Sequence, residues 1–255
     1  MDCFPFQEEQ LMHRFYADPD QIADSIVCLS PEDARHAITV LRLKAGQHIE
    51  LIMNGGRHDA EILSIDSREV SVRILSSLPS TEPSLSVTLF QGLPKADKMD
   101  LIVQKSTELG VSRIVPVLMN RCIVRPDAKD ISRKRERWQK IAREACKQSG
   151  RCQIPDVSDP VTLNRLNQSL MLPEINIVPW EEAAGFGPLA FRKRYPSLSS
   201  LGILIGPEGG IEEEEINLLK TIGFLPITLG KRILRTETAG PAALSSFMSI
   251  YGEME

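Results

Sequence analysis

Between residues 48 and 75 the chain alternates apolar and polar positions in three short segments, HIELIM, HDAEILSI and EVSVRIL. A period of two predicts half-buried β-strands, and Gly55-Gly56 supplies a turn between the first two. Ahead of them, Ser30-Pro31-Glu32-Asp33 has the cap serine, first-turn proline and acidic residue that begin a helix. Short antiparallel strands with one small helix predict a β-rich domain, a small barrel.

Beyond residue 84 the pattern changes to apolar runs that alternate with helical segments. Strands are predicted for SVTLFQGL, RIVPVLM, EINIVPW, LGILIG and LPITLG, and helices for KADKMDLIVQKSTELG, residues 130–150 and the closing AALSSFMSIY. This alternation predicts an α/β domain with a parallel sheet and helices on both faces. The Ser- and Pro-rich SSLPSTEPS marks the boundary, which gives a tail over residues 1–10, a barrel over 11–78 and an α/β domain over 79–255.

Composition narrows the class of protein. Hydrophobic content of 42% and charged content of 25% are typical of a soluble globular protein. The first ten residues lack the pattern of a secretory signal, so a cytoplasmic location is expected. Five scattered cysteines without CxxC spacing and four dispersed histidines predict a reducing compartment and no metal site. Because the net charge is −4, any nucleic-acid signal must be local.

A glycine-rich turn, Gly206-Pro207-Glu208-Gly209-Gly210, joins a predicted strand to the helix that begins with Glu212–Glu215. It lacks the Lys-Ser/Thr of a P-loop and the G-x-G-x-x-G order of a dinucleotide fold. The glutamates complement the positive end of the helix dipole and compete with an anion for it. The turn is therefore predicted to hold a flat or neutral group, or a cation, rather than a polyphosphate. The alternative is a tight turn into a capped acidic helix.

A second glycine-bearing loop follows the next strand, in ITLGKRILRTETAGPAAL. It carries Lys231, Arg232 and Arg235 before Thr236-Glu237-Thr238, which is predicted to open a helix. Ligands in open parallel sheets bind beyond the carboxyl ends of the strands. Two such loops at adjacent strand ends are expected to enclose one adenosine-like ligand.

The predicted helix over residues 130–150 is strongly basic. Nine Lys or Arg residues stand against three acidic residues between Lys129 and Arg151. This density suits a track for nucleic-acid phosphates. The alternative is a solvated helix face.

Several of these stretches resemble one known family. LIGPEGG, LGKRILRTETA, KSTELGV and RWQKIAREACKQSGR are similar to signature stretches of the 16S ribosomal RNA uracil-N3 methyltransferases of the SPOUT superfamily, and HAITVLRLKAG resembles their N-terminal motif. The similarity extends over nearly all of the chain from Met12 on. It implies an S-adenosylmethionine-dependent enzyme with a PUA-like barrel, a SPOUT-type α/β domain with a trefoil knot, and a homodimer. The partner would be 16S ribosomal RNA within the small subunit.

The resemblance also implies site residues. The cofactor, a sulfonium cation without phosphate, is compatible with the carboxylates of the glycine turn. Its pocket would be formed by Ile205, Gly206, Pro207, Glu208, Gly209, Gly210, Leu229, Gly230, Ile233 and Leu234. RNA would be held by Arg14, Arg35, Arg42 and Lys44 of the barrel and by Arg133, Lys134 and Arg137 of the basic helix. His36 is either a structural histidine or a further RNA contact.

Methylation at uracil N3 requires loss of the N3 proton while negative charge builds on the neighbouring carbonyl oxygens. Such chemistry needs a cation at those oxygens and a proton acceptor. Arg235 is the candidate cation, with the alternative that it pins its loop to a carboxylate. Glu237 is either the proton acceptor or a helix cap, and Glu108 is interpreted as structural.

Three alternatives stay open. The chain could be an RNA methyltransferase of the same superfamily that acts elsewhere, such as on a ribose 2′-hydroxyl. It could also be a non-catalytic ribosome-assembly factor that kept the RNA-binding barrel. Finally, Leu244, Phe247 and Ile250 lie at helical spacing in the closing helix, and they either form a dimer surface or pack on the sheet of their own chain.

Overall fold

A computed structural model describes residues 12–17, 21–23, 25–53, 55–125, 127–169 and 171–254. The tail predicted over residues 1–10 lies outside this part of the chain. The chain divides into two units, residues 1–81 and 82–255, and the division falls within the Ser- and Pro-rich stretch. In the part that the structure describes, no helix is long and apolar enough to cross a membrane.

The first unit is built on a six-stranded sheet in the order β1-β4-β5-β6-β3-β2. β1 pairs with β4 in parallel, and the other pairings are antiparallel. A π-helical segment, His36–Val40, follows α1. The bounds are Arg14–Tyr16 (β1), Ile22–Ala23 (β2), Ile26–Cys28 (β3), Pro31–Arg35 (α1), His48–Met53 (β4), Gly56–Ile65 (β5) and Val70–Leu78 (β6).

The sequence pattern of this unit is confirmed in its main elements. The three alternating segments form β4, β5 and β6, and the Ser30 hydroxyl caps α1 by accepting the Asp33 N–H at 3.1 Å. Alternation is visible in the packing, because the Ile49, Leu51 and Ile62 side chains lie in the core. The short strands β1, β2 and β3 were not predicted, since two or three residues are too few to show a period.

The second unit contains a parallel sheet in the order β10-β8-β7-β12-β11-β13, with β9 beside β8. The predicted strands and helices are confirmed within a few residues. The strands are Ser86–Gly92 (β7), Arg113–Leu118 (β8), Asp156–Val157 (β9), Val161–Thr162 (β10), Ile175–Pro179 (β11), Ser200–Ile205 (β12) and Phe224–Ile227 (β13). The helices are Lys98–Glu108 (α2), Ala128–Ser149 (α3), Leu166–Ser169 (α4), Pro188–Arg194 (α5), Glu213–Thr221 (α6) and Thr236–Ile250 (α7), with a 3₁₀ turn at Leu163–Arg165.

The strand order determines where a ligand can bind. β12 lies between β7 and β11, and β13 lies on the far side of β11. Because these strands are parallel, their carboxyl ends meet at one edge of the sheet. The segments that leave β7, β11, β12 and β13 therefore converge there, and two of them are the glycine-bearing loops.

The closing helix α7 packs into its own unit. Leu244 and Phe247 are fully buried, and Ile250 is half-buried against the same core. The Phe247 ring meets the Phe191 ring edge-to-face, with 5.1 Å between the ring centroids. The interpretation of this face as a dimer surface is therefore wrong, because hydrophobic spacing reports a buried stripe without saying what covers it.

Arg151 occupies the interior, although the sequence placed it at the end of the basic track. Its Nη2 atom lies 2.6 Å from Glu82 Oε2, and its Nη1 atom donates to the carbonyl oxygens of Thr107 at 3.1 Å and Val111 at 2.6 Å. The two charged side chains are only 6% and 10% exposed. The glycine Gly150, with a φ of +77°, ends α3 and turns the chain inward at this point. Arg151 therefore binds the fold together and is unavailable to phosphate.

We expect Arg151→Ala to lower the free energy of unfolding by about 3–5 kcal/mol, because it leaves the Glu82 carboxylate buried without its cation. Urea denaturation followed by circular dichroism measures this change. The matched control is Arg133→Ala, which removes an exposed pair with Asp130 and should change stability by less than about 0.5 kcal/mol. Equal effects of the two substitutions would contradict the structural role of Arg151.

Candidate active site

A cavity of about 920 Å³ opens at the carboxyl ends of β11, β12 and β13. Its walls come from residues 206–211, which we call the cradle, from residues 228–235, which we call the second loop, and from the connection that leaves β11. All ten residues predicted for a cofactor pocket line it: Ile205, Gly206, Pro207, Glu208, Gly209, Gly210, Leu229, Gly230, Ile233 and Leu234. Arg235 lines it as well. The structure thus brings the two predicted loops together around one space.

Close packing explains the glycines of the cradle. A Cβ atom on Gly206 would lie 2.6 Å from Ile211 Cγ1, and one on Gly209 would lie 2.9 Å from the Arg121 Cβ atom. At the end of β7, a Cβ on Gly92 would lie 2.6 Å from the Pro207 backbone nitrogen. Real Cβ atoms do not approach other atoms this closely, so these positions admit only a bare backbone.

The glutamates after the cradle are mostly structural. Glu212 and Glu215 form a reciprocal capping box at the start of α6. Glu215 Oε1 accepts the Asn120 N–H at 2.8 Å, and Glu212 Oε2 accepts the Asn120 side-chain amide at 2.8 Å. Glu213 and Glu214 are exposed. The cradle therefore leads into a capped acidic helix, as one alternative expected, and it also borders a cavity.

A buried threonine joins the two loops. The Thr236 hydroxyl donates to the Gly206 carbonyl at 2.7 Å and accepts a hydrogen bond from Gln91 Nε2 at 2.9 Å. Gln91 is fully buried at the end of β7 and also donates to the Gly92 carbonyl at 3.1 Å. Three chain segments are therefore held in fixed positions by one hydroxyl group. The start of α7 at Thr236 was predicted, but nothing in the sequence signalled this bridge.

Arg235 stands at the cavity wall with an exposed side chain. Its carbonyl accepts the N–H groups of Thr238 and Ala239, which fixes its backbone at the start of α7. Its guanidinium forms no ion pair with any other residue in the described ranges. The alternative that Arg235 pins its loop to a carboxylate therefore receives no support.

Residues 230–233 of the second loop are exposed, whereas Thr228, Leu229 and Leu234 are half-buried. Gly230 takes a left-handed φ of +105°, and its N–H donates to the Thr228 hydroxyl at 3.1 Å. Lys231 and Arg232 are exposed, and Ile233 is 83% exposed. This segment therefore offers two cations and one apolar side chain to solvent beside the cavity.

Lys98 is a wall residue that the sequence analysis missed. Its Nζ atom lies 3.2 Å from Glu208 Oε1 in the cradle and 3.1 Å from Glu237 Oε2 in the first turn of α7. The Lys95 N–H also donates to Glu208 Oε1 at 3.2 Å. A lysine at the amino end of α2 opposes the helix dipole, and that unfavourable position was the available signal.

The ionisation of this group follows from its contacts. Hydrogen bonds with Glu237 and then Glu208 raise the pKa of Lys98. The pKa of Glu237 is lowered, first by a hydrogen bond from its own backbone N–H and then by Lys98 and Arg235. Burial raises the pKa of Glu208, but hydrogen bonds from its own N–H, Lys98 and Lys95 outweigh burial and leave it lowered. One ammonium therefore lies between two ionised carboxylates.

The connection after β11 supplies a third wall that carried no recognisable motif. It contributes Trp180, Glu181, Ala183, Ala184 and Gly185. The Lys220 ammonium lies 5.3 Å from the centroid of the Trp180 ring, which places the indole against α6. This wall follows from strand order, which a single sequence does not specify.

The residues predicted for RNA in the first unit differ in availability. Arg35, His36, Arg42 and Lys44 are exposed, so His36 is not a buried structural histidine. Arg14 instead pairs with Glu50 at 2.8 Å, and Glu50 also pairs with Arg57 at 2.6 Å. Because Glu50 is buried, its two arginines are needed to compensate its charge.

The basic helix α3 also uses some of its cations internally. Arg133 pairs with Asp130 at 2.8 Å, and Arg137 pairs with Asp100 and Asp97. Arg135 lies 3.9 Å from Asp159, and Lys147 also has a partner. Within the described ranges, no partner is found for the side chains that are left, which are those of Lys129, Lys134, Lys140 and Arg143.

Two remaining expectations concern isolated groups. Glu108 pairs with Lys105 at 2.9 Å on α2 and does not line the cavity. Over the described residues, no group of three or more His, Cys, Asp or Glu side chains is placed to hold a metal ion.

We expect Thr236→Val to lower the free energy of unfolding by about 1–3 kcal/mol, because valine keeps the shape but leaves the Gly206 carbonyl and the Gln91 amide unpaired. Thr238→Val, at an exposed position in the same turn, is the matched control and should change stability by less than about 0.5 kcal/mol. Chemical denaturation of both variants tests this. Similar stabilities would show that the bridge does not hold the loops.

Comparison with known proteins identifies the family of both units. The model of the RNA methyltransferase domain matches residues 81–248, and that of the RNA methyltransferase PUA domain matches residues 29–75. Ribosomal RNA small subunit methyltransferase E of Bacillus subtilis is 36% identical over 86% of this chain and 88% of its own length. The enzyme of the same name from Aquifex aeolicus is 30% identical over 93% of this chain and 100% of its own.

Solved structures agree with this similarity. Ribosomal RNA small subunit methyltransferase E of Neisseria gonorrhoeae, bound to S-adenosyl methionine, superimposes with a TM-score of 0.81 at 34% identity, over 96% of this chain and 100% of that one. A putative methyltransferase from Legionella pneumophila, also with bound cofactor, gives a TM-score of 0.79 at 33% identity over 93% of this chain and 97% of that one. The α/β fold with its PUA-like unit is thereby established, and the chain belongs to the ribosomal RNA small subunit methyltransferase E family of RNA methyltransferases.

Proposed function

We propose that this enzyme transfers a methyl group from S-adenosylmethionine to N3 of a uridine in 16S ribosomal RNA of the small subunit, in the cytoplasm. The observation that carries the proposal is the cavity enclosed by the cradle and the second loop, with Arg235 at its wall. Among the residues that the structure describes, Arg235 has no ion-pair partner. Relatives solved with this cofactor support it. The homodimer and the trefoil knot also belong to the proposal, and they rest on the family resemblance.

The cavity fits the cofactor by size and chemistry. Its volume of about 920 Å³ lies in the range of ligand sites, and Ile205, Leu229 and Ala239 supply apolar walls for a flat ring. Glu208 in the cradle suits a cationic ligand and disfavours a polyphosphate. When bound, S-adenosylmethionine supplies an electrophilic methyl group carried by its sulfonium. When this methyl group is transferred, the electron pair of the C–S bond stays on sulfur.

We propose that Arg235 stabilises the negative charge that grows on the uracil carbonyl oxygens as N3 loses its proton. The Arg235 backbone is already fixed, and its guanidinium has no competing ion pair with another described residue, which suits it to this task. Preorganised charge of this kind contributes strongly to stabilising the transition state in many enzymes. The planar guanidinium group can donate hydrogen bonds to two acceptors at once.

For Glu237, the contacts favour a positioning role over that of a proton acceptor. Its lowered pKa makes it a weak base, and its carboxylate is already engaged by its own backbone N–H and by Lys98. We therefore propose that it supports the start of α7 and that the N3 proton leaves to water. The target base must be unpaired or flipped out to reach the cavity.

The RNA contacts that we propose are the exposed cations of each unit. In the first unit these are Arg35, Arg42 and Lys44, with His36 beside them. On α3 we assign this role to the exposed Lys140 and Arg143 and to the half-buried Lys134. Arg14, Arg133 and Arg137 have carboxylate partners, so we expect them to contribute less to RNA binding.

The decisive experiment is methyl transfer from labelled cofactor to small-subunit particles and to naked 16S RNA, followed by mapping of the modified base. Label at uracil N3 supports the proposal. Label at a ribose 2′-hydroxyl would favour a different target within the superfamily. Cofactor binding without transfer to any RNA would favour a non-catalytic assembly factor.

Arg235→Ala should lower turnover by roughly 100-fold, as expected for one lost oxyanion donor, with little change in cofactor affinity. Arg235→Lys should recover only part, because a point charge cannot span two acceptors. Single-turnover methylation, calorimetric cofactor affinity and melting temperature are measured on one preparation. Near-wild-type turnover would end the assignment, and parallel loss of stability and affinity would indicate a structural arginine.

Replacing Lys134, Lys140 and Arg143 together with alanine should weaken RNA binding and flatten its salt dependence. The logarithmic salt slope should fall by about 0.7–0.9 for each phosphate that is no longer neutralised by a cation of α3. Arg133→Ala is the control, since its guanidinium is already paired with Asp130. An unchanged slope in the triple variant would make α3 a solvated face.

A further inference from the structure

Lys98 links two segments of the cavity region, the cradle and the first turn of α7, that are far apart in sequence. Its ammonium contacts Glu208 in the cradle at 3.2 Å and Glu237 in the first turn of α7 at 3.1 Å. The Lys98 side chain is 27% exposed, and the two carboxylates are less exposed than it is. Such partly desolvated carboxylates need a cation more than surface ones do.

A second cation stands close to the same carboxylate. Arg235 lies two residues before Glu237, and its charge contributes to lowering the pKa of that carboxyl group. Arg235 nevertheless forms no ion pair with another described residue, whereas Glu237 pairs with Lys98. The two cations therefore do not share the carboxylate equally, and the lysine holds it.

We infer that Lys98 is a positioning residue: by holding Glu237 as its ion-pair partner, it leaves the Arg235 guanidinium available to the uracil. This inference rests on the proposed function, because it assigns Arg235 its role. Lys98, Arg235, Glu208 and Glu237 together carry no net charge. Without Lys98, the same group carries one excess negative charge. Arg235, whose charge already acts on Glu237, is a cation that can compensate it.

The raised pKa of Lys98 agrees with a fixed charge. An ammonium that stays protonated cannot accept the N3 proton. Lys98 therefore acts through Glu237 and not on the substrate. The contribution is specific to charge and geometry, so arginine at this position should replace it in part and methionine should not.

The test is a double-mutant cycle of Lys98→Met with Glu237→Gln. Lys98→Met should lower kcat by about 10-fold or more, with a smaller effect on KM for RNA, because Arg235 turns to Glu237. Adding Glu237→Gln should then raise kcat by about 5-fold, since the competing carboxylate is gone. In the wild-type background the same substitution should lower kcat. Lys98→Arg should retain most of the activity.

Lys105→Met is the matched control, because Lys105 lies on the same helix and pairs with a carboxylate, Glu108, outside the cavity. It should change kcat by less than about 2-fold. A merely structural Lys98 would predict loss of melting temperature in step with activity and no gain from Glu237→Gln. That result would overturn the inference. Should Lys98→Met fold poorly, Lys98→Gln gives the same cycle.

A readout that does not need methyl transfer separates this inference from the proposed function. The Nε–Hε resonance of Arg235 in ¹⁵N-labelled protein should shift in Lys98→Met and return towards its wild-type position when Glu237→Gln is added. An unmoved resonance in Lys98→Met would overturn the inference. If wild-type enzyme transfers no methyl group to any RNA while the resonance moves as stated, the proposed function fails and the Lys98–Glu237 pairing stands.

Discussion

The site depends on one hydroxyl group. Thr236 binds the Gly206 carbonyl on one side and Gln91 on the other, so the cradle, the start of α7 and the end of β7 share one point. The close approach of Gly92 to Pro207 allows the same three segments to pack without a side chain between them. Interiors of this density move as blocks rather than bend gradually. The shape of the cavity is therefore set by the packed sheet edge beneath it.

Charge around the cavity is arranged by pairing. After the cradle, Glu212 and Glu215 accept hydrogen bonds in the capping of α6 and from Asn120. Glu212 also lies 3.4 Å from the Arg121 guanidinium, and Glu208 pairs with Lys98. The second loop keeps its cations exposed. The carboxylate-rich stretch is therefore compensated in part, by Arg121 and Lys98, while Lys231 and Arg232 present positive charge to solvent beside the cavity. For this reason, the charge counted along a stretch of sequence differs from the charge that a ligand meets at the folded surface.

Much of this architecture could be predicted from sequence, because its signals are local. Glycine turns, caps and hydrophobic period indicated the parallel strands and the two loops, and the family resemblance implied ten residues that line the cavity. The features that could not be predicted depend on partners that are distant in sequence. No local signal shows that Arg151 folds back onto Glu82 or that Leu244 and Phe247 face their own sheet. Nor does one show that Lys98 meets the cradle and the first turn of α7, both more than 100 residues away. Side-chain pairing across the fold requires the strand order, which periodicity does not supply.

The span of the Gln91–Thr236 bond has a consequence for the order of folding. It joins residues 145 apart, so closing it costs chain entropy before other contacts repay it. During synthesis, the strand that carries Gln91 emerges long before the helix that carries Thr236, and until then Gln91 lacks this partner. Thr236 lines the cavity, so the wall that it contributes takes its final position only when this bond has formed. An enzyme that modifies ribosomal RNA thus acquires its site only after two segments far apart in its own sequence have both left a ribosome.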